Sequence, residues 1–308
     1  MRKFNLRGAV VQRMKGIPKE DHSLNEADHS PDDTFPTCET FFLPEQGQLC
    51  CAWRTDVGRI RKNNQDAVII GNGLAGVADG MGGHNGGEIA SAGLRDGLLR
   101  ETRGCVPDRD KLIESICKVN KELWDRQEAD ASLTGMGTTL TIIWPSPSEM
   151  IIAQVGDSRA YLLRDGVINQ ITNDHSMVAD MVRKGVLTEE QAACHPMRNY
   201  ITRAVGTDDS VESDIIIHDR QKGDCWLICS DGLHGMLSKS DLFNLINPDE
   251  LDESADKLLQ AALENGGRDN ITLVLLRDDS GIVSPLPDDQ INAEDPSDKS
   301  GHGEVTDQ

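Results

Sequence analysis

The stretch Thr138–Ile171, reading TTLTIIWPSPSEMIIAQVGDSRAYLLRDGVINQI, decides the fold class. Three runs rich in apolar and β-branched residues, Thr138–Trp144, Glu149–Val155 and Arg159–Leu163, are separated only by short segments of Pro, Ser, Gly and Asp, the signature of successive strands. Asp165-Gly166 then makes a two-residue hairpin turn into a fourth run, Val167–Ile171, because both residues tolerate the left-handed backbone that such a turn requires. A parallel crossover needs a dozen residues or more, usually a helix, and none of these connections has that length.

The pattern extends in both directions. Upstream, Leu49–Thr55, Asp66–Ile70 and Leu74–Ala78 are short strands bounded by Gly and Asn. Between them and the decisive stretch lie two helical segments, Glu88–Arg103 and Asp110–Gln127. The second is the clearer, with Leu112, Ile116, Val119 and Leu123 recurring on one face behind an acidic start. Downstream, His175–Lys184 and Thr188–Cys194 are short helices, followed by strands around Glu212–His218 and Asp224–Cys229. Ser240–Ile246 and Pro248–Asn265 are the last helices, the second stopped by Gly266, and Ile271–Leu276 is the last strand. Strands joined by hairpins with helices inserted in antiparallel pairs give an α+β domain, not an alternating βαβ one.

Residues 1–46 mix charges and prolines without period and are expected to form a flexible extension, because they carry too little apolar surface to offset the entropy of ordering. The domain proper is expected to span residues 47–278. Beyond it, residues 279–308 read as an acidic, disordered tail; Gly281–Gln308 holds seven acids against one lysine.

Composition removes several function classes. A formal charge of −21 argues against nucleic acid as a partner, since phosphate backbones demand clustered Lys and Arg. No apolar run approaches the ~18 residues of a membrane helix, and the opening Met1-Arg-Lys-Phe-Asn lacks a signal-peptide core. Eight cysteines show no disulfide framework, and Cys225 and Cys229 sit at strand positions suited to buried thiols, which points to a reduced, cytoplasmic setting. Gly71-Asn-Gly-Leu-Ala-Gly matches a dinucleotide-binding fingerprint, but a strand follows it rather than the helix that would hold a pyrophosphate. A hairpin turn is the better reading, and nicotinamide binding is rejected.

Four scattered segments each place an aspartate beside a glycine, an asparagine or a hydroxyl, at the polar end of an apolar strand. They are Arg61-Lys-Asn-Asn-Gln-Asp66, Val77-Ala-Asp-Gly-Met-Gly-Gly-His84, Ile228-Cys-Ser-Asp-Gly232 and Gly267-Arg-Asp-Asn-Ile-Thr272. Each alone is an ordinary turn. Together they are an oxygen-only donor set, which suits Mg²⁺ or Mn²⁺ rather than zinc.

In this order the segments resemble the metal-dependent serine/threonine protein phosphatases of the 2C type, in their bacterial form, over about Cys51–Leu276. The resemblance implies a sandwich of two antiparallel β-sheets flanked by pairs of antiparallel helices, in α-β-β-α layers. It also implies two Mn²⁺ or Mg²⁺ ions, with Asp66, Asp79, the Gly80 carbonyl, Asp231 and Asp269 as ligands. Val155-Gly-Asp-Ser-Arg-Ala resembles a further signature whose aspartate, here Asp157, joins Asp231 at a third, weaker ion. Arg61 matches the arginine that binds substrate phosphate. Asn199-Tyr-Ile-Thr-Arg-Ala-Val-Gly resembles the close of a variable flap spanning about Met177–Asn199.

Two departures stand out. Gln65 replaces a glutamate frequent in the family. Met81 takes the place of the histidine that animal enzymes carry after Asp-Gly, which leaves His84 as the candidate general acid. The implied activity is hydrolysis of phosphoserine and phosphothreonine in proteins by a water or hydroxide bridging the ions. The implied partners are phosphorylated proteins and an opposing Ser/Thr kinase. The alternative, a catalytically silent phosphoprotein-binding scaffold on the same fold, is disfavoured because none of the expected aspartates is missing.

Overall fold

The computed structural model of the chain describes residues 38–43, 47–83 and 86–279. The decisive stretch forms four strands as expected, but they divide between two sheets. β6 (Leu140–Pro145) pairs with β7 (Glu149–Val155), and β8 (Arg159–Arg164) pairs with β9 (Val167–Gln170). The β8–β9 turn has Asp165 and Gly166 at φ 52° and 72°, the paired left-handed geometry of a type I′ hairpin. The β7–β8 connection is not a hairpin: it carries the chain from one sheet to the other, through Gly156 at φ +100°.

One sheet has the order β1-β2-β12-β11-β8-β9, where β1 is Cys38–Leu43, β2 Gly47–Asp56, β11 Cys225–Cys229 and β12 Ile271–Asp278. The other has the order β10-β7-β6-β4-β3, where β3 is Asp66–Gly71, β4 Leu74–Met81 and β10 Asp214–Asp219. A two-residue strand, β5 (Gly137–Thr138), pairs with the end of β4. All pairings are antiparallel.

The alternation of side chains builds three apolar layers. Along β12, Val274 and Leu276 face the space between the sheets and meet Trp226, Ile228, Val77 and Ile152. The intervening Ile271, Leu273 and Leu275 face outward and are covered by Leu251, Ala255 and Leu258 of α7 (Leu251–Glu264), with Leu242 of α6 (Lys239–Leu245). On the far side, α1 (Gly86–Glu101) and α2 (Arg109–Ala129) cover the second sheet through Leu94, Leu98, Leu112 and Ile116 packed on Ile69, Leu74 and Ile142. The fold is therefore the expected α-β-β-α sandwich. A Cβ on Gly93 would lie 2.8 Å from Leu123, and one on Gly97 would lie 2.7 Å from Val119. As one index rises the other falls, so the two helices run antiparallel with their backbones close.

Two further helices, α3 (Met177–Arg183) and α4 (Glu189–Ala193), form the flap region, and α5 (Asp231–His234) is a single turn after β11. Strand periodicity does not report β5 or α5, because neither is long enough to show a period. The fingerprint-like Gly71-Asn-Gly-Leu-Ala-Gly is the β3–β4 hairpin: Asn72 and Gly73 stand at φ 52° and 81°, and Gly71 pairs with Leu74.

One boundary needs correction. The flexible extension expected over residues 1–46 does not reach that far, since Cys38–Leu43 pairs along its whole length with residues 47–52 of β2. The short apolar run Thr40-Phe-Phe-Leu43 is β-prone, and it finds a sheet edge to extend. Residues 1–37, 44–46 and 280–308 lie outside the described residues, and so does nearly all of the expected tail. Cys105, Cys117, Cys194, Cys225 and Cys229 are free thiols. No helix among the described residues is long and apolar enough to cross a membrane.

Candidate metal centre

Five aspartates named from the sequence arrive at one end of the sandwich, each from a different strand end. Asp66 begins β3 and Asp79 lies near the end of β4, and the hairpin register sets them directly opposite one another. Asp231 follows β11, Asp269 precedes β12, and Asp157 sits on the connection that crosses between the sheets. A cavity of about 220 Å³ opens beside them, lined by four of the five, Asp79, Asp157, Asp231 and Asp269, together with Gly80 and Arg61, and with Asn199 and Ile201 of the flap's closing segment on its wall.

The supports are polar and local. Ser230 Oγ donates to Asp66 Oδ2 at 2.9 Å and accepts from the Thr272 N–H at 3.0 Å, tying β11, β12 and β3 together. The Thr139 hydroxyl accepts from the Asp79 N–H at 3.0 Å. The Asn270 side chain spans three segments: its Oδ1 accepts from the Gln65 N–H, and its Nδ2 donates to the Val57 and Asn63 carbonyls. Gly80 is required by close approach, since a Cβ there would stand 2.1 Å from the Gly87 carbonyl oxygen and 2.4 Å from that of Gln65. That contact seats the start of α1 against the end of β4.

The electrostatics are those of a site that wants cations. Burial, then repulsion from Asp231 and Asp269, pushes the Asp66 carboxyl up to about 7. Burial and its neighbours Asp66 and Asp231 hold Asp79 well above the usual carboxylate range. Burial raises Asp157 to about 8, with Asp231 and Asp174 adding to it, and raises Asp231 to about 6, with Asp269 adding to it. The neighbouring Asp79 carboxyl partly offsets the rise at Asp231. Carboxylates this close cannot all ionise unless positive charge joins them.

Arg61 contributes the nearest positive charge, donating from Nη2 to Asp269 Oδ2 at 2.7 Å, with about half of its side chain exposed at the rim. Asp66 Oδ1 is buried and has no hydrogen-bond partner, an orphaned acceptor of the kind a cation or its water would satisfy. Among the described residues no three acidic, imidazole or thiol groups already close on a single point. Ions held by one or two protein oxygens, with water filling the remaining positions, do not need such a closed cage, and Mg²⁺-like ions bind in that way. The donor set, the orphaned oxygen and the held protons fit hard divalent cations.

The structure thus brings together Asp66, Asp79, Gly80, Asp157, Asp231, Asp269 and Arg61. His84, the candidate general acid, lies outside the described residues. Sequence reasoning missed Ser230, Thr139 and Asn270. The first and last stand beside predicted ligands in Ser230-Asp231 and Asp269-Asn270, which is a local signal. Thr139 gave none, because its bond to Asp79 spans 60 positions.

Comparison with known proteins agrees. A family model described as protein phosphatase 2C matches residues 59–275. The chain is 38% identical over 245 residues to the serine/threonine phosphatase stp of Listeria monocytogenes, covering 74% of this chain and 95% of that protein. It is 40% identical over 227 residues to the serine/threonine protein phosphatase PstP of Mycobacterium tuberculosis, covering 73% of this chain but only 44% of that longer protein. Among solved structures, the catalytic domain of PstP in complex with two manganese ions superposes with a TM-score of 0.69 at 37% identity, covering 74% of this chain and 97% of that one.

Proposed function

The chain belongs to the protein phosphatase 2C family, and from that premise we propose that the aspartate cavity is the dinuclear centre of a metal-dependent serine/threonine protein phosphatase. The observation that carries this reading is the convergence of four carboxylates on one cavity, with a fifth, Asp66, paired opposite Asp79 and its Oδ1 left without a partner. Asp66, Asp79, Asp231, Asp269 and the Gly80 carbonyl would hold two Mn²⁺ or Mg²⁺ ions, and Asp157 with Asp231 a third. When bound, the ions supply an activated water near neutral pH and offset the negative charge of the phosphate.

The chain's own residues do the rest. Asp79, register partner of Asp66 across the hairpin and on the cavity wall, would supply a carboxylate to the ions. Ser230 holds Asp66 by its Oδ2 and leaves Oδ1 available to a cation. Arg61, half exposed at the rim beside Asp269, would present its planar fork to two phosphate oxygens, a geometry a lysine cannot copy. His84 follows the glycine pair after Met81 and remains the candidate to protonate the leaving hydroxyl. Asn199 and Ile201 line the same cavity, so the flap's closing segment would flank a bound phosphoprotein. We read residues 38–279 as the catalytic unit, acting on phosphorylated cytoplasmic proteins in opposition to a Ser/Thr kinase.

The test is hydrolysis of phosphothreonine and phosphoserine peptides by the purified chain. Release of phosphate that needs Mn²⁺ or Mg²⁺ and stops under complete chelation is the expected result. Undiminished release in the presence of chelator would refute the mechanism.

A further inference from the structure

The turn that presents Asp157 is held from outside the metal centre by an imidazole the reaction does not use. The His175 backbone N–H donates to the Gly156 carbonyl at 2.8 Å, and the Gly156 N–H donates back to His175 Nδ1 at 3.2 Å. The two residues therefore close a ring between the sheet-crossing turn and the stem of the flap. His175 is 5% exposed, and its Nε2 lies 3.1 Å from Asp214 Oδ2 at the start of β10. An N–H donor facing Nδ1 requires a lone pair there, so the ring proton sits on Nε2 and is donated to Asp214. Asp214 in turn accepts from Arg203 at 2.9 Å.

His175 also belongs to the flap. Its carbonyl accepts from the Thr202 N–H at 2.8 Å, and the next residue, Ser176, bridges to Ile201 and caps α3. Gly156 has no freedom to compensate: its φ is +100°, and a Cβ would lie 2.6 Å from Thr139. Gln154 Nε2 also donates to the Gly156 and Ser158 carbonyls and His234 Nε2 faces the Asp157 carbonyl, but the Gly156 N–H is taken by His175 Nδ1, which links the turn to the flap stem.

We propose that His175, oriented by Asp214, is a positioning residue that sets the Gly156–Asp157 turn, and so the third-ion ligand Asp157, in register with the flap stem. The proposal rests on reading Asp157 as a ligand of the third, weaker ion. It makes the weak site sensitive to one hydrogen bond while the two tighter ions, held by other strands, are not.

Asparagine and glutamine separate the two bonds of the imidazole. Asn carries an oxygen at the position of Nδ1 and can still accept from Gly156. Gln reaches the position of Nε2 and can satisfy only Asp214. The metal-free full chain is titrated with Mn²⁺, and the free ion is followed by electron paramagnetic resonance.

Wild type is expected to bind two ions tightly and one weakly, and D157N to lose the weak one alone. H175Q is expected to weaken that ion about tenfold, and H175N to stay within about twofold of wild type. D214A, which changes a partly exposed residue and frees the ring to adopt the other tautomer, is expected to weaken it in the same direction as H175Q. The tight pair should be unchanged throughout.

A weak ion retained by D157N shows that Asp157 is not its ligand, and the proposal falls with that reading. A weak ion lost in D157N but bound normally by H175Q, or lost equally in H175N and H175Q, overturns the brace alone. Should H175Q fail to fold, wild-type affinity for the weak ion in D214A overturns it.

Discussion

At the scale of single residues, the site trades stability for chemistry. Asp79 and Asp231 are buried beside other carboxylates, and both are held above their ordinary range by burial first and like charge second. An amide of the same shape removes the repulsion and also the charge that holds a cation. Asp79→Asn and Asp231→Asn are each expected to lower phosphopeptide turnover roughly a thousandfold or more, on the scale of losing a main electrostatic contact in a catalytic site. In metal-free protein the same substitutions are expected to leave the melting temperature unchanged or raise it, as happens when a strained functional site is relieved. Turnover assays alongside thermal melts check this; substantial residual rate in either variant removes that residue from the metal centre.

At the scale of elements, the β3–β4 hairpin does two jobs at opposite ends. Its open end sets Asp66 against Asp79, and its closed end is the Asn72-Gly73 turn. That turn is pinned to the helix layer by Asn72 Nδ2, which donates to the Leu99 carbonyl, and to β6 by the Asn72 carbonyl, which accepts from Trp144 Nε1. Gly73 stands at φ 81°, where a β-carbon costs about 1–2 kcal/mol. Gly73→Ala should therefore lower the unfolding free energy by about that amount in urea titrations. Mn²⁺ affinity should be unchanged, since the turn is a full hairpin length from the carboxylates. A loss of Mn²⁺ binding without loss of stability would contradict this division of labour.

At the scale of the whole molecule, the carboxylate cluster couples the fold to pH and to metal. The folded-state values of Asp66, Asp157 and Asp231, about 7, 8 and 6, lie above the ordinary 3.8. A raised value means the folded state holds protons that the unfolded chain has released. The stability this lends is complete below about pH 4 and is lost as pH rises through 6–8. Metal-free protein is therefore expected to melt at progressively lower temperature from pH 5 to pH 8. Carboxylates held low by arginines, such as Asp256 beside Arg54, weaken only as pH falls through their lowered values, so that window isolates the cluster.

Mn²⁺ binds the ionised form, so its stabilising effect should grow over the same range. It would reach about 2.7 kcal/mol at a hundredfold excess over the dissociation constant. Melts with and without Mn²⁺ across that range check both slopes, and a flat metal-free profile would contradict the raised values.

The layers were legible in the residues themselves. The Asp165-Gly166 and Asn72-Gly73 turns and the spacing of apolar residues in α2 are properties of neighbours in the chain, so hairpins, helices and an α+β domain could be read without coordinates, while the two-sheet sandwich was implied by the family resemblance. The aspartates could likewise be named, because each sits in a short segment with its own turn chemistry. What no local pattern contains is which distant segments meet.

The Ser230 bond to Asp66, the Thr139 bond to Asp79 and the His175 ring around Gly156 join positions from 19 to 164 residues apart. The β7–β8 link is short, but that it crosses between sheets is decided by which strands lie on either side of it. Local residue choice determined the elements and the chemistry they carry. Long-range packing and register, which depend on every layer at once, decided that the carboxylates share one cavity and what holds each of them there.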